Sequence, residues 1–335
     1  MIGIDIGSKS IKIIELSKSG QTWTLKSSGA VGYTGVTPDK IIDENDFKKI
    51  AELIKNIIKK VEIKTFEVNI SLPEVVVFTR LIKFPLLSEE EVAAAVKWEA
   101  EQYIPIPANE AVIQYTILEK NEVTSQTSVL LVATPKIVVE KFVKVLQLAG
   151  LTPVVAETEL TALARSLAPQ KGISLLLDIG FSSTDMAIVK DSSILFTRSI
   201  AVAGEAFTRA VSQSLAIETI QAEEYKKTYG LVENQLEGKV KKSLDPIFRV
   251  IIEEIKKAIQ FYRSEEKGDA PTSIILTGGA SLMPGIVPYL TQNLGIETIV
   301  GDPFGKVSLD PETKKNLQNY ASLYSAAVGL AMREE

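Results

Sequence analysis

The stretch IGIDIGSKSIKIIEL, residues 2–16, decides how the rest of the chain is read. Apolar residues run to Ile6, a polar turn follows at Gly7-Ser8-Lys9-Ser10, and apolar alternation resumes at Ile11. Alternation on both sides of a short turn predicts two antiparallel strands. Taken alone, Asp-x-Gly is ordinary turn chemistry and requires no ligand. The same residues also suit a phosphate. Glycine lets the backbone turn tightly and come close, amides and hydroxyls donate to the oxygens, and a lysine adds charge.

The pattern returns at LLLDIGFSSTDMAIV, residues 175–189. An apolar strand again enters Asp178-Ile179-Gly180, small polar residues follow, and a second apolar strand leaves. Asp5 matches Asp178 and Gly7 matches Gly180, which predicts an internal duplication with one such hairpin in each of two similar domains. A further strand, Ser273–Leu276, leads into Thr277-Gly278-Gly279. Two hairpins facing each other could clamp a nucleotide. Ser8, Ser10, Ser182, Ser183 and Thr184 would add hydroxyl donors, and Lys9 would stand against the β- or γ-phosphate. An Asp at each strand end, Asp5 and Asp178, suits Mg2+, which keeps most of its waters and wants few carboxylates.

Composition narrows the chemistry. A chain of 335 residues is expected to form two domains. It is 45% hydrophobic and 24% charged, with a net charge of −5 and lysine pairs scattered among acids. There is no basic stripe, which argues against nucleic acid as a partner. Cysteine is absent, so disulfides, thiol nucleophiles and cysteine metal sites are excluded and a cytoplasmic home is expected. Histidine is absent too, which removes the commonest general base and the commonest metal ligand. Chemistry must run on carboxylates, lysines, hydroxyls, backbone amides or a hard metal. The first residues enter a strand carrying Asp5, unlike a signal peptide. No apolar run approaches the roughly 20 residues that span a bilayer. The expectation is a soluble protein that meets the inner membrane only through a partner.

Periodicity predicts strands at 2–6, 11–16 and near 23–33, a helix over 46–60 with Phe47, Ile50, Ala51, Ile54, Ile57 and Ile58 at helical spacing, and a buried strand Val68–Leu72. A second unit is expected over 75–155. It opens with a β-rich run, Val75–Ile82, followed by the capping box Ser88-Glu89-Glu90-Glu91 and a helix carrying Val92, Ala95, Val96 and Tyr103 on one face. Pro105 and Pro107 end that helix. Strands at 111–118 and 128–134, a helix over 137–149 closed by Gly150, and a strand at 152–157 complete the unit. Helical text fills 205–264, with a stripe of Ile247, Val250, Ile251, Ile255, Ala258, Ile259 and Tyr262 before a loop at 265–271. Alternating strands and helices predict an α/β protein.

In this order, the motifs resemble the actin-like ATPase superfamily of actin, the heat-shock chaperone ATPase domain, sugar kinases and bacterial FtsA and MreB. IGIDIGSKSIK and LLDIGFSSTD are similar to its two phosphate motifs, ETELTALAR and YSAAVGLAMR to its two connecting helices, and ILTGGASLMPG to its adenosine motif. Within the superfamily the chain most resembles the PilM family of type IV pilus assembly proteins, above all in WEAEQYIPIP, residues 98–107. The resemblance implies an actin-like α/β fold: duplicated, ribonuclease H-like lobes with an inserted small α+β subdomain as in FtsA. The lobes would be 1–74 with 310–335 and 156–204 with 268–309. The insertion would be 75–155, and 205–267 a helical subdomain of the second lobe.

The resemblance also implies roles. Asp5 and Asp178 would hold Mg2+ through water. Gly7, Ser8, Lys9, Ser10, Gly180, Ser182, Ser183 and Thr184 would contact the β- and γ-phosphates of ATP. Gly278 and Gly279 would let the backbone pass the adenosine, with Ser281 and Met283 beside the base. Glu223 and Lys226, at i,i+3, would face the ribose or pair with each other on the surface. Glu159 would orient the attacking water, or merely sit as an acid at a helix N-terminus. One departure is Phe181-Ser182, where the family commonly has consecutive glycines. A bulky residue there puts fast hydrolysis in question and leaves at most a weak ATPase.

Partners follow from the same resemblance: the cytoplasmic N-terminal tail of a PilN-like membrane protein in a groove of the insertion, other pilus platform or motor proteins, and self-association. Trp98, Tyr103, Ile104 and Ile106 would line that groove or form the insertion's core. FtsA carries a membrane-binding helix at its C-terminus. This sequence stops at Ala331-Met332-Arg333-Glu334-Glu335, which favours the pilus protein. Two other readings stay open: a filament-forming FtsA- or MreB-like cytoskeletal ATPase, and a small-molecule kinase using Asp185 or Asp191 as base, the first deep in the motif and the second in an expected turn.

Overall fold

The computed structural model describes residues 1–123, 125–265 and 268–334. Positions 266 and 267 of the expected loop at 265–271, and position 335, lie outside the described residues. Along the chain run β1 (Ile2–Ile6), β2 (Ser10–Ser19), β3 (Thr22–Gly32), α1 (Glu44–Lys60), β4 (Glu67–Leu72), β5 (Phe78–Pro85), α2 (Glu89–Tyr103), β6 (Ala111–Asn121), β7 (Gln126–Pro135), α3 (Lys136–Leu148), β8 (Thr152–Thr158) and α4 (Glu159–Leu167). Then follow β9 (Ile173–Ile179), β10 (Thr184–Lys190), β11 (Ser193–Ile200), α5 (Gly204–Leu215), α6 (Thr219–Tyr229), α7 (Lys239–Glu265), β12 (Ser273–Thr277), α8 (Ile286–Leu294), β13 (Glu297–Val300), β14 (Val307–Ser308), α9 (Pro311–Leu317) and α10 (Ser325–Ala331).

The two large sheets repeat one design. The first has the order β14-β3-β2-β1-β4-β8 and the second β11-β10-β9-β12-β13. In each, a three-strand antiparallel meander continues into two parallel strands. The central strands, β1 and β9, are apolar on both faces because both faces are covered. On one side of the first sheet lie α1 and α3, which share a core with Ile4, Ile6 and Ile70. Asp43 caps α1 by accepting from the Asn45 amide, and Phe47, Ile50, Ala51, Ile54 and Ile57 form its buried stripe. On the other side lies α10, packed on β1, β2 and β4.

α10 also crosses α4, the link between the sheets, at backbone contact. A Cβ built on Gly329 would lie 1.8 Å from the Ala162 carbonyl oxygen, and one on Gly3 would lie 2.1 Å from that of Ala327. Gly329 and Gly3 are there because nothing larger fits.

The insertion is smaller than its expected span of 75–155. Its three-stranded antiparallel sheet, β5-β7-β6, is covered by α2. The helix opens on the expected capping box: Ser88 Oγ accepts from the Glu91 amide at 3.3 Å, and Glu91 Oε2 accepts from the Ser88 amide at 2.8 Å. However, α3 buries Val138, Phe142, Val145 and Leu146 in the first lobe's core, and β8 pairs with β4. Both belong to the first lobe, since its sheet needs a second covering helix and its fifth strand. The run from Val75 also differs from expectation, because Glu74–Val76 forms a 3-10 turn and the strand begins at Phe78. β14, expected with the second lobe, pairs with β3 of the first. On α7 the stripe is Leu244, Phe248, Ile251, Ile255, Ala258 and Tyr262, while Val250 is 46% exposed. Spacings of four and three put Val250 just off that line.

Candidate functional site

Both hairpins turn in the same way. The Gly7 amide donates to the Ser10 carbonyl at 3.1 Å, and the Gly180 amide to the Ser183 carbonyl at 3.0 Å. Those two amides close their turns and do not aim at a ligand. The hairpins meet across the gap between lobes: Ser182 Oγ donates to Ser8 Oγ at 3.1 Å, and Lys9 Nζ lies 4.2 Å from the Phe181 ring centroid. Lys9 is therefore stacked on Phe181, the bulky residue of the second turn.

Behind the turns lies a row of acids. Asp5, buried at the end of β1, accepts from Lys12 Nζ at 2.9 Å and from Ser71 Oγ at 3.3 Å. Lys12 is largely enclosed. Burial opposes its charge, but Asp5, with Asp178 and Glu159 further away, outweighs it and holds the amine above its ordinary range. Asp178, opposite Asp185 in the β9–β10 register, has a buried Oδ1 with no hydrogen-bond partner. Burial first, then the charges of Asp185 and Asp5, push its carboxyl up to about 7. Glu159 opens α4 just after its cap Thr158, and burial together with Asp5, Asp185, Asp178 and Glu74 raises it well above the usual carboxylate range. So the structure gathers Asp5, Asp178, Glu159, Ser8, Ser182 and Lys9 at one place.

The remaining expected residues divide. Gly278 has φ +82°, and a Cβ there would lie 2.1 Å from Asp178 Oδ1, so only glycine lets this strand end approach the hairpin; Gly279 faces open space. Glu223 and Lys226 bond each other at 2.6 Å, and Lys226 also donates to Thr208 Oγ1 and to the Gly204 carbonyl. Burial depresses the Lys226 amine against the pull of Glu223. Burial alone would raise the Glu223 carboxyl, but bonds from Lys226 and Thr208 keep it low. The pair sits beside the second hairpin, because the amides of Gly204 and Glu205 donate to the carbonyls of Gly180 and Phe181. Other side chains point elsewhere. Thr184 is fully buried and donates to the Val202 carbonyl, and Ser183 donates to Asp185. Ser10 contributes its carbonyl to the first turn. Ser281 is buried between the Gly278 carbonyl and Ser322, and Met283 belongs to the second lobe's core. Asp191 lies in a turn, accepting from the Gly172 amide.

Two residues of the row, Lys12 and Glu74, were not expected in it, and Asp185 was expected only as the base of a kinase. Lys12 had a signal: it is the one charge inside the apolar run Ile11–Ile14. Asp185 had one too, closing the motif at the same distance from Asp178 as Lys12 from Asp5. Glu74 had none, because its burial depends on how the insertion docks.

The sequence profile of the family described as type IV pilus assembly protein PilM matches residues 3–335. The chain belongs to that family. Among solved structures, the chain in a PilM–PilN type IV pilus biogenesis complex superposes with a TM-score of 0.85 at 27% identity, over 99% of this chain and 97% of that one. MreB 5 of Spiroplasma citri bound to AMPPNP has a TM-score of 0.55 at 16% identity, over 98% and 93%. The cell division protein FtsA of Bacillus subtilis is 23% identical over 240 residues, 61% of this chain and 54% of its own length. The chain thus spans about half the length of that curated relative. The fold is actin-like, as the duplicated sheets require, and the β5–β7 insertion is part of the PilM-family chain.

Proposed function

We propose that this PilM-family chain binds ATP with Mg2+ between its two hairpins and takes the N-terminal cytoplasmic tail of a PilN-like membrane protein at its inserted subdomain. It would thereby work in the cytoplasm at the inner-membrane platform of a pilus machine. The observation that carries the reading is the match, over nearly the whole chain, to the protein in the PilM–PilN complex. The nucleotide half rests on the hairpins meeting at Ser8 and Ser182 and on the buried, unpartnered Asp178 Oδ1, which suits a water of a hydrated Mg2+. Among the described residues no three acids are arranged to ligate a metal directly, so phosphate and water would complete the shell. Asp5 and Asp178 would orient those waters, Lys12 would neutralise charge at the phosphates, and Glu159 would face the water attacking the γ-phosphate. When bound, Mg2+ supplies charge to the phosphoryl oxygens.

Likeness to an AMPPNP-bound MreB supports the fold that such a site needs. No helix among the described residues is long and apolar enough to cross a membrane, which is compatible with attachment through a partner. On the insertion, Trp98 is 66% exposed on the outer face of α2 and Tyr103 is half-buried under Arg80, whereas Ile104 and Ile106 pack into the subdomain core. Trp98 is thus the most open of the four to a peptide, Tyr103 and Ile106 are half-buried against the subdomain core, and Ile104 is buried in it. The test titrates a PilN-type N-terminal peptide into the full chain with and without Mg-ATP. Saturable binding is expected, and no binding in either state sinks the partner assignment.

A further inference from the structure

Glu74 is the least expected acid of the row. It sits on the 3-10 turn joining β4 of the first lobe to β5 of the insertion. It is 4% exposed, and neither carboxyl oxygen has a hydrogen-bond partner. Its surroundings are Asp185 on β10, the Thr158 hydroxyl and the Leu160 amide at the start of α4. Burial, then the Asp185 charge, pushes its carboxyl up to about 8.

The junction around it is built the same way. The turn and β5 pack on β11 of the second lobe. On β11, Ser199 stands opposite Asp185 in register, and its hydroxyl is buried without a partner, as are Asp185 Oδ1 and Thr79 Oγ1 on β5. Buried polar groups are nearly always bonded, so a junction with this many weakly satisfied ones is less firmly fixed than a fully bonded one. It lies one strand away from Asp178.

We propose that Glu74 couples the inserted subdomain to the nucleotide cleft, seating the root of β5 beside the Asp185 charge on the second hairpin so that nucleotide binding is felt at the insertion. Phosphates and Mg2+ change the field at Asp178 and Asp185. In a water-poor site that change reaches Glu74, whose place in the junction is set by those acids. The insertion thereby interacts differently with the cleft in its two states, which any ligand-driven shift requires. Glu74 itself lies outside the expected phosphate contacts. The coupling rests on the nucleotide reading above.

The test is amide hydrogen exchange on the full chain, with and without Mg-ATP at a concentration shown to saturate each variant. In the wild type, exchange should change both at the hairpins and at residues 74–85 and 193–200. In Glu74→Leu, and in the near-isosteric Glu74→Gln that guards against misfolding, the change at 74–85 should shrink at least about twofold. The exposed neighbour variant Val75→Ala should keep it. A wild-type response confined to the hairpins, or one of full size in both Glu74 variants, overturns the coupling. No response at the hairpins either would show that the nucleotide reading has failed, and the coupling with it.

Discussion

The two hairpins share a turn and differ in charge. Seven residues after the Asp, the first hairpin has Lys12 and the second has Asp185. Both stand directly across the ladder from their Asp: Lys12 opposite Asp5, and Asp185 opposite Asp178. The first hairpin therefore neutralises itself through an ion pair at 2.9 Å. The second sets like charges face to face, leaves one oxygen of each without a partner, and adds Glu74 and Glu159 nearby. Duplication supplied one scaffold twice, and divergence made one copy self-sufficient and the other dependent on protons or a cation. Such an asymmetry suits a site that must respond to a charged ligand rather than merely hold it.

The strongest way to break this contrast is to remove the internal cation. Lys12→Met strands buried Asp5, and losing one partner of a buried pair costs about 3–5 kcal/mol. Urea unfolding should show that loss, and Asp5→Asn in the same chain should recover part of it. A loss no larger than that of a surface lysine would mean that the first hairpin does not depend on its ion pair.

Next comes the pH response of the crowded hairpin. The Glu74 carboxyl, at about 8 in the fold against an ordinary 4.5, holds a proton in the folded chain that the unfolded chain releases. Its contribution is fully present below about 4.5 and is lost as pH rises through about 8. Between roughly pH 5 and 9 this group should remove on the order of 4 kcal/mol. Urea midpoints across that range should fall for the wild type and fall less for Glu74→Gln; parallel curves would refute the assignment.

Asp178→Asn should then act in the opposite direction to Lys12→Met. Removing one of several repelling acids is expected to raise stability by about 1 kcal/mol. It should also abolish the stabilisation that Mg-ATP gives the wild type in thermal melts. If the variant lost stability as Lys12→Met does, the two hairpins would be alike after all.

How much of this was legible in the sequence follows from what was local. Both hairpins and the Ser88–Glu91 capping box could be read because turn chemistry and capping leave their mark on neighbouring residues. The limits of the insertion could not. The apolar face of α3 fits either a small subdomain or the first lobe, and only the position of α1 decides. For the site, the Asp-x-Gly signatures gave the place but not every atom. Thr184 and Ser281 look like ligand hydroxyls in the sequence, yet each has a partner inside the fold. Lys9 drew attention as the lysine in the turn, while Lys12, hidden in a strand, is the cation that meets the acids.

The smallest effect separates those two lysines. Lys9 lies over the Phe181 ring, and an exposed contact of this kind is worth about 0.5–1 kcal/mol. Lys9→Met and Phe181→Leu should each cost little stability. Their effects on Mg-ATP affinity should not add, because each removes the same contact, and a double-mutant cycle should return a coupling of about 0.5–1 kcal/mol. A lysine bound directly to phosphate would behave differently: Lys9→Met would weaken binding equally whether residue 181 was Phe or Leu, and the cycle would close at zero. The same cycle bears on what Phe181 does in a turn where the resemblance to actin-like ATPases leads one to expect glycine. If the coupling is present, the aromatic ring holds a first-lobe cation beside the second hairpin, doing with a side chain what consecutive glycines do by bringing the backbone close.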